Sequence, residues 1–335
     1  MTIDQRIEVF SQLGIRIKNL DQNQFDAITA QAQIKNAWFT KDNIRLALDS
    51  IASMISKEKL IQWIAQYDLV QKTSRKVGIV MAGNIPLVGF HDLLSVIISG
   101  HHAVVKMSHQ DDVLMKFVID QLVEIEPGIA SQITIVNQLK QIEAVIATGS
   151  DNTSRYFEYY FDKYPHIIRK NRSSIAILTG KETQKELSDL AFDVYSYFGL
   201  GCRNVSKIYL PKDFDIKSML DIWQTYGPIL DHHKYRNNYD YHKSILLVNR
   251  EKHLDTGFSL LKESADLISP LSVLYLEYYE DLGSLLQQIE AQSDKIQCKV
   301  SIIPENVFIA PGKAQQPELW EYADGVDTLT FLQSL

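Results

Sequence analysis

Cysteine is scarce in this chain of 335 residues, with Cys202 and Cys298 the only two. Two unpaired-looking cysteines build neither a disulfide framework nor a Cys-rich zinc site, and free thiols point to a reducing cytoplasm. Positive charge is in deficit: 34 Lys and Arg stand against 41 Asp and Glu, a net charge of −7. That balance lacks the basic footprint of a nucleic-acid binder, so any phosphate must be met by local basic residues. No signal peptide is evident and no apolar run reaches the length of a membrane span. No Gly-x-Gly-x-x-Gly follows a strand pattern, so the usual dinucleotide fingerprint is missing. Repeats and low-complexity tracts are missing too. What is there is an ordinary globular composition, long enough for two domains with separate cores.

Up to about residue 73 the apolar residues Ile7, Phe10, Ile44, Leu48, Ile51, Ile61 and Ile64 recur at helical spacing between polar linkers, which predicts a helical N-terminal region. From residue 76 short apolar runs alternate with helical segments, the grammar of a parallel sheet with crossover helices. Strands are expected at 77–81, 103–107, 133–136 and 143–148, and a helix rich in aromatics at 155–161. Asn84, Lys106 and the Gly149-Ser150 turn then fall at the carboxyl ends of successive strands, where doubly wound sheets bind ligands. Further strands are expected at 175–178, 205–210 and 244–248. The clearest turn between periodic stretches, Thr179-Gly180-Lys181, sets a domain boundary near 180.

The stretch Tyr197-Phe198-Gly199-Leu200-Gly201-Cys202-Arg203-Asn204 lies between a helical pattern and a strand pattern. Its glycines let the backbone turn sharply, and Arg203 puts positive charge beside a thiol that reacts as thiolate. An unperturbed thiol titrates at ~8.5, so a reactive one here needs Arg203 or backbone dipoles to lower that value. The alternative is a small apolar residue packed in a turn. Cys298, in the alternating run 296–303, reads as packing. His232 and His233 are adjacent, so their rings are expected to diverge, and no metal-ligand spacing accompanies them. No metal is expected, and 231–242 reads as a polar, aromatic loop beside a substrate entrance.

Five landmarks in fixed order resemble the aldehyde dehydrogenase superfamily from about residue 76 onward. They are Val77-Gly78-Ile79-Val80 with Asn84-Ile85-Pro86, Ser99-Gly100 with Val104-Val105-Lys106-Met107-Ser108, Thr148-Gly149-Ser150, Gly199-Leu200-Gly201-Cys202, and Ser269-Pro270 with Leu271-Ser272-Val273-Leu274. Within it, the chain is most similar to the short acyl-CoA reductases related to LuxC. The resemblance implies Cys202 as nucleophile and the Asn84 amide, with the Cys202 N–H, as oxyanion donors. It places Lys106, Ser108, Gly149, Ser150 and Asp266 against a nicotinamide cofactor. From the residues alone, Asn84 as a turn-former and Asp266 as a solvated carboxylate are open alternatives.

Two departures from the family pattern set direction and cofactor. Where aldehyde-oxidising members carry a glutamate that activates water, this chain has Arg169, which cannot act as a general base. That favours keeping a thioester over hydrolysing it, hence reduction of an acyl-CoA to the aldehyde. After Lys106 no carboxylate follows until Asp111, so the 2′-phosphate of NADPH is accommodated, with NADH the alternative. Arg169, Arg172 and Arg203 are candidate contacts for substrate phosphate.

The expected fold is α/β and aldehyde dehydrogenase-like: a doubly wound Rossmann-type cofactor domain and an α/β catalytic domain behind a helical N-terminal region. The expected division is 1–180, 181–311, and a segment 312–335 packing back on the body. The resemblance implies an acyl-CoA substrate and an acyl-activating ligase as partner. The short stretch between the N-terminal helices and the 77–81 strand leaves little chain for the family's oligomerisation hairpin, so a monomer or dimer is expected. The competing functions are an NAD(P)-dependent aldehyde dehydrogenase and a non-catalytic subunit of a reductase complex.

Overall fold

Thr2, Asp21, Thr40 and Ser56 each accept a backbone N–H from the turn that follows them, and each so starts a helix. These are α1 (Ile3–Lys18), α2 (Gln22–Lys35), α3 (Lys41–Met54) and α4 (Lys57–Ile64). The computed structural model describes residues 1–69, 73–149 and 151–335. It divides into two compact units: unit 1 is Met1–Asn171 with Pro317–Leu335, and unit 2 is Arg172–Gln316.

In unit 1 the helices are followed by β1 (Lys76–Val80), α5 (Phe90–Ile98), β2 (His102–Lys106), α6 (Asp112–Ile125), β3 (Ile133–Ile135), β4 (Ala144–Thr148), α7 (Asp151–Phe161) and β5 (His166–Arg169). The five strands form one parallel sheet in the order β3-β2-β1-β4-β5. The chain winds outward from β1 to β3, then returns to β4 on the other side of β1. The switch point therefore lies between the carboxyl ends of β1 and β4. Phe10, Leu13, Leu48, Trp63, Leu93 and Leu122 belong to the core on one face. On the other face the connection from β3 to β4 crosses directly over β1: a Cβ on Gly78 would stand 2.9 Å from Leu139 and 3.1 Å from Ile142. Ile61, expected in the core, is 49% exposed, because Leu60 and Trp63 are the residues of α4 that turn inward.

Unit 2 contains β6 (Ser173–Ile177), α8 (Gln184–Tyr195), β7 (Val205–Pro211), α9 (Ile216–Trp223), α10 (His233–Val248), β8 (Leu254–Asp255), β9 (Leu260–Glu263), β10 (Val273–Tyr279), α11 (Leu282–Glu290) and β11 (Ile296–Val300). The sheet order is β11-β6-β7-β10-β9-β8, parallel except for β8 against β9. Residues 244–248, expected as a strand, are the last turns of α10. A short apolar run cannot by itself distinguish strand from helix, and here it continues the helical register begun at His233. The strand β6 and the turn at Gly180 both lie inside unit 2, so the division falls before β6 and not at the turn. The chain then returns to unit 1 and ends in α12 (Thr328–Gln333). Among the described residues no helix is long and apolar enough to cross a membrane.

Candidate active site

In unit 1 the turns after β1, β2 and β4 lie at one end of the sheet, and close packing sets their shape. Met81 N–H bonds to Lys106 O at 3.1 Å, and Asn36 donates its amide to Gly83 O at 3.2 Å. A Cβ on Gly83 would lie 2.5 Å from Ser108 Oγ, so only glycine lets these two segments touch. Next comes Asn84, exposed, and then Leu87 in left-handed backbone (φ 59°) with its N–H on Asp111 Oδ2 at 2.7 Å. Asp111 is 4% exposed, and burial pushes its carboxyl well above the usual range. Lys106 is half-buried at the end of β2, and among the described residues no ion pair engages its ammonium. Gly149 ends β4 against α7, where a Cβ would meet Phe157 at 2.9 Å. Ser150 lies outside the described residues.

Arg169 corrects an expectation. Its strand position turns it inward, and Nη1 bonds both oxygens of Asp92 in α5 at 2.5 and 2.6 Å while Nη2 donates to Thr328 Oγ1 in α12 at 3.0 Å. The two charged side chains are 6% and 4% exposed. An arginine so enclosed is not the accessible phosphate clamp read from the sequence. Arg172 is half-buried at the start of unit 2.

In unit 2 the cysteine loop leaves α8 through three successive left-handed residues, Tyr197 (φ 50°), Phe198 (φ 59°) and Gly199 (φ 80°). Two non-glycine residues in that region cost free energy, and the surroundings must hold them. Asn204, 2% exposed, does so: its amide donates to Ser196 O at 2.8 Å and Asp193 O at 3.0 Å, and its oxygen accepts Gly201 N–H at 2.8 Å. Ser174 Oγ donates to Cys202 O at 3.0 Å. Cys202 itself is half-buried, whereas Cys298 is buried in β11. Arg203 Nε donates to Ala314 O at 2.5 Å. Asp193 is fully buried on α8 and accepts Gly312 N–H at 2.7 Å and Ala314 N–H at 3.1 Å. Its carboxyl is pushed up to about 7, first by burial, against the pull of those two donors and of Arg203.

Asp266 is exposed on a loop pinned from below by β7. Ser206 Oγ donates to Leu267 O at 2.7 Å, and the fully buried Lys207 donates to Ala265 O at 3.0 Å while pairing with Glu277 at 2.5 Å. The segment 231–242, expected as a loop, is the start of α10 and its cap. His232 stacks on Phe198 at 4.4 Å between ring centroids, and the rings of His232 and His233 stack at 5.4 Å instead of diverging. Sequence reading gave neither Asp193 nor Asn204 a role. The available signal was an acidic residue on the buried face of α8, among Leu187, Leu190 and Val194.

The switch-point sheet of unit 1 and the left-handed cysteine loop of unit 2 define a protein of aldehyde dehydrogenase-like fold. Solved structures with that likeness include aldehyde dehydrogenase 21 from Physcomitrella patens in complex with the reaction product succinate, at 11% identity over 91% of this chain and 74% of that one, TM-score 0.67. An NADP-dependent enzyme of E. coli is 12% identical over 91% and 74%, TM-score 0.64. The Mycobacterium tuberculosis aldehyde dehydrogenase complexed with NAD+ is 11% identical over 86% and 70%, TM-score 0.61. At such identities the likeness is one of fold. Curated protein sequences gave no match. The acyl-CoA reductase (LuxC) family matches residues 10–219, more than half of the chain, and the chain belongs to that family of oxidoreductases. The matched stretch includes Asn84, Lys106, Gly149, Arg169 and Cys202 and stops short of Asp266.

Proposed function

We propose that this chain reduces an acyl-CoA thioester to the aldehyde with NADPH, through an acyl-enzyme on Cys202. The observation that carries the reading is the cysteine loop: a half-buried thiol that follows the left-handed turn Tyr197-Phe198-Gly199, locked by a buried asparagine, in a chain of the acyl-CoA reductase family. The Cys202 thiolate attacks the thioester carbonyl, the oxyanion collapses, and coenzyme A leaves as its thiolate. The Asn84 amide and the Cys202 N–H serve as oxyanion donors, each such donor being worth about 3 kcal/mol of barrier. Arg169, enclosed with Asp92, offers no general base for water, which supports retention of the thioester over its hydrolysis. Held by Lys106, Ser108, Gly149, Ser150 and Asp266, a nicotinamide cofactor would supply hydride to the acyl carbon. The resulting hemithioacetal oxyanion then collapses to aldehyde and returns the Cys202 thiolate.

Unit 1 fits a phosphorylated dinucleotide. Lys106 brings a half-buried cation to the same end of the sheet as Gly149, a position suited to ribose or phosphate oxygens. Asp111, the first carboxylate after Lys106, is buried with its Oδ2 on the Leu87 N–H, and burial raises its carboxyl above the usual range, so it sets no exposed carboxylate against a 2′-phosphate. Asp266, on its pinned loop, is assigned to the nicotinamide ribose.

The test is NADPH consumption over a panel of acyl-CoA thioesters, with aldehyde and acid assayed as products, for the native chain and Cys202→Ala. Aldehyde formation lost in Cys202→Ala is the expected result. Acid as product would move the reading to an aldehyde dehydrogenase. Neither turnover nor acylation at Cys202 would leave a non-catalytic subunit.

A further inference from the structure

We propose that Asp193 is a positioning residue for the nucleophile: its buried carboxylate clamps residues 312–314 onto α8, and that strap in turn holds Arg203 and the shape of the Cys202 loop. The inference rests on Cys202 being the nucleophile of the proposed reaction.

The bonds form a closed circuit within unit 2. Asp193 Oδ2 accepts Gly312 N–H at 2.7 Å and Oδ1 accepts Ala314 N–H at 3.1 Å. Ala314 O receives Arg203 Nε, so the residue next to Cys202 is tied to the strap that the carboxylate holds. The backbone carbonyl of Asp193 receives the Asn204 amide at 3.0 Å and the Gln315 amide at 3.4 Å. Both neighbours on the C-terminal side of the thiol, Arg203 and Asn204, are thereby fixed through position 193. Gly312 (φ 81°) admits the strap, since a Cβ there would stand 2.9 Å from Asp189 Cβ.

A carboxylate is the group this circuit needs. Its two oxygens accept two backbone donors at once, and in a fully buried place an unmatched N–H would otherwise bear the full desolvation cost. Protonation puts a hydrogen on one oxygen and weakens one of the two bonds. The charged and titratable groups facing it are Arg203 from the cysteine loop, Asp189 one turn back on α8, and Tyr226 from the turn after α9; Asp189 is itself paired with Lys185. From the strap the carboxyl receives the N–H groups of Gly312 and Ala314, while Lys313 between them is exposed and the Gln315 amide bonds the Asp193 backbone carbonyl. Ionisation of the carboxyl at about 7 therefore couples clamp strength to pH across the working range of a thiolate.

The test follows alkylation of Cys202 by iodoacetamide from pH 5.5 to 9.5, with the modified site read by mass spectrometry, alongside steady-state reduction of the best acyl-CoA. The native chain is expected to show two ionisations, one belonging to the thiol and one near pH 7. Asp193→Asn should lose the latter and lower kcat about 10- to 100-fold with KM little changed, as misplacement of a reacting group does. Gln315→Ala, which leaves the carboxylate in place, should keep both ionisations. A single ionisation in the native chain overturns the proposal whether or not the variant folds, as does a folded Asp193→Asn with the native profile and kcat. If the native chain reduces no acyl-CoA yet shows the two-step profile, the reductase reading fails and the clamp stands.

Discussion

Breaking the Arg169–Asp92 pair should destabilise unit 1 far more than breaking any surface ion pair. The pair is enclosed, with side chains 6% and 4% exposed, and Arg169 has one further acceptor, Thr328 Oγ1. Replacing Asp92 by alanine leaves a buried guanidinium without its counter-ion, a change that typically costs about 3–5 kcal/mol. With a urea dependence of about 2 kcal/mol per molar, the unfolding midpoint should fall by about 1.5–2.5 M. Tryptophan fluorescence reports it cleanly in a Trp223→Phe background, because Trp38, Trp63 and Trp320 all belong to unit 1. The double variant Asp92→Leu with Arg169→Met should recover most of the loss, since removing both charges also removes the desolvation penalty. Thr328 Oγ1 keeps a partner in that variant, as it donates to Val326 O at 3.4 Å. Lys57→Ala, which breaks the exposed Lys57–Glu8 pair of the same unit, is the control and should leave the midpoint within the scatter of the fit. A midpoint for Asp92→Ala no lower than that control's would refute the claim that Arg169 is an internal ion-pair residue.

Asn204→Ala should lower stability by about 1–3 kcal/mol and slow Cys202 alkylation, because it strips the loop of the amide that joins Gly201 N–H to the carbonyls of Asp193 and Ser196; chemical denaturation and alkylation rates check both. Burial makes the folded chain hold the Asp193 proton more tightly, at about 7 against 3.8 ordinarily, so overall stability is highest below about pH 4 and falls as pH rises through 7, the desolvation of the buried charge outweighing the better clamp that the carboxylate makes. The loss is on the order of 4 kcal/mol, and Asp193→Asn should flatten that limb of a denaturation series run from pH 4 to 8. Gly83→Ala forces a Cβ against Ser108 and should cost about 1–3 kcal/mol while raising the KM for NADPH; Ser108→Gly in the same chain should recover most of the stability in a denaturation series.

Patterns that repeat along the chain were readable without coordinates. Helical spacing in the first seventy or so residues and the strand-then-helix alternation after Lys76 depend on local periodicity that one sequence displays. The same holds for the glycine-flanked Cys202 and for Asn84, Lys106 and Gly149 at strand ends, because loop position follows directly from strand boundaries. What tertiary structure decided is which polar groups face inward. Arg169 and Asp92 are 77 positions apart, and Asp193 meets the N–H groups of Gly312 and Ala314 more than a hundred positions later. No local pattern encodes such pairings, since each side chain alone reads as an ordinary charged residue. The run at 244–248 became helix because it extends the register of α10, a choice made by packing and not by its own propensity. The sequence by itself thus determined the helical N-terminal region, the strand-then-helix alternation after it and the residues carried on the loops. The fold alone determined how the Arg169–Asp92 pair in unit 1 and Asp193 in unit 2 find their partners, because burial and partner choice arise only when distant segments are brought together.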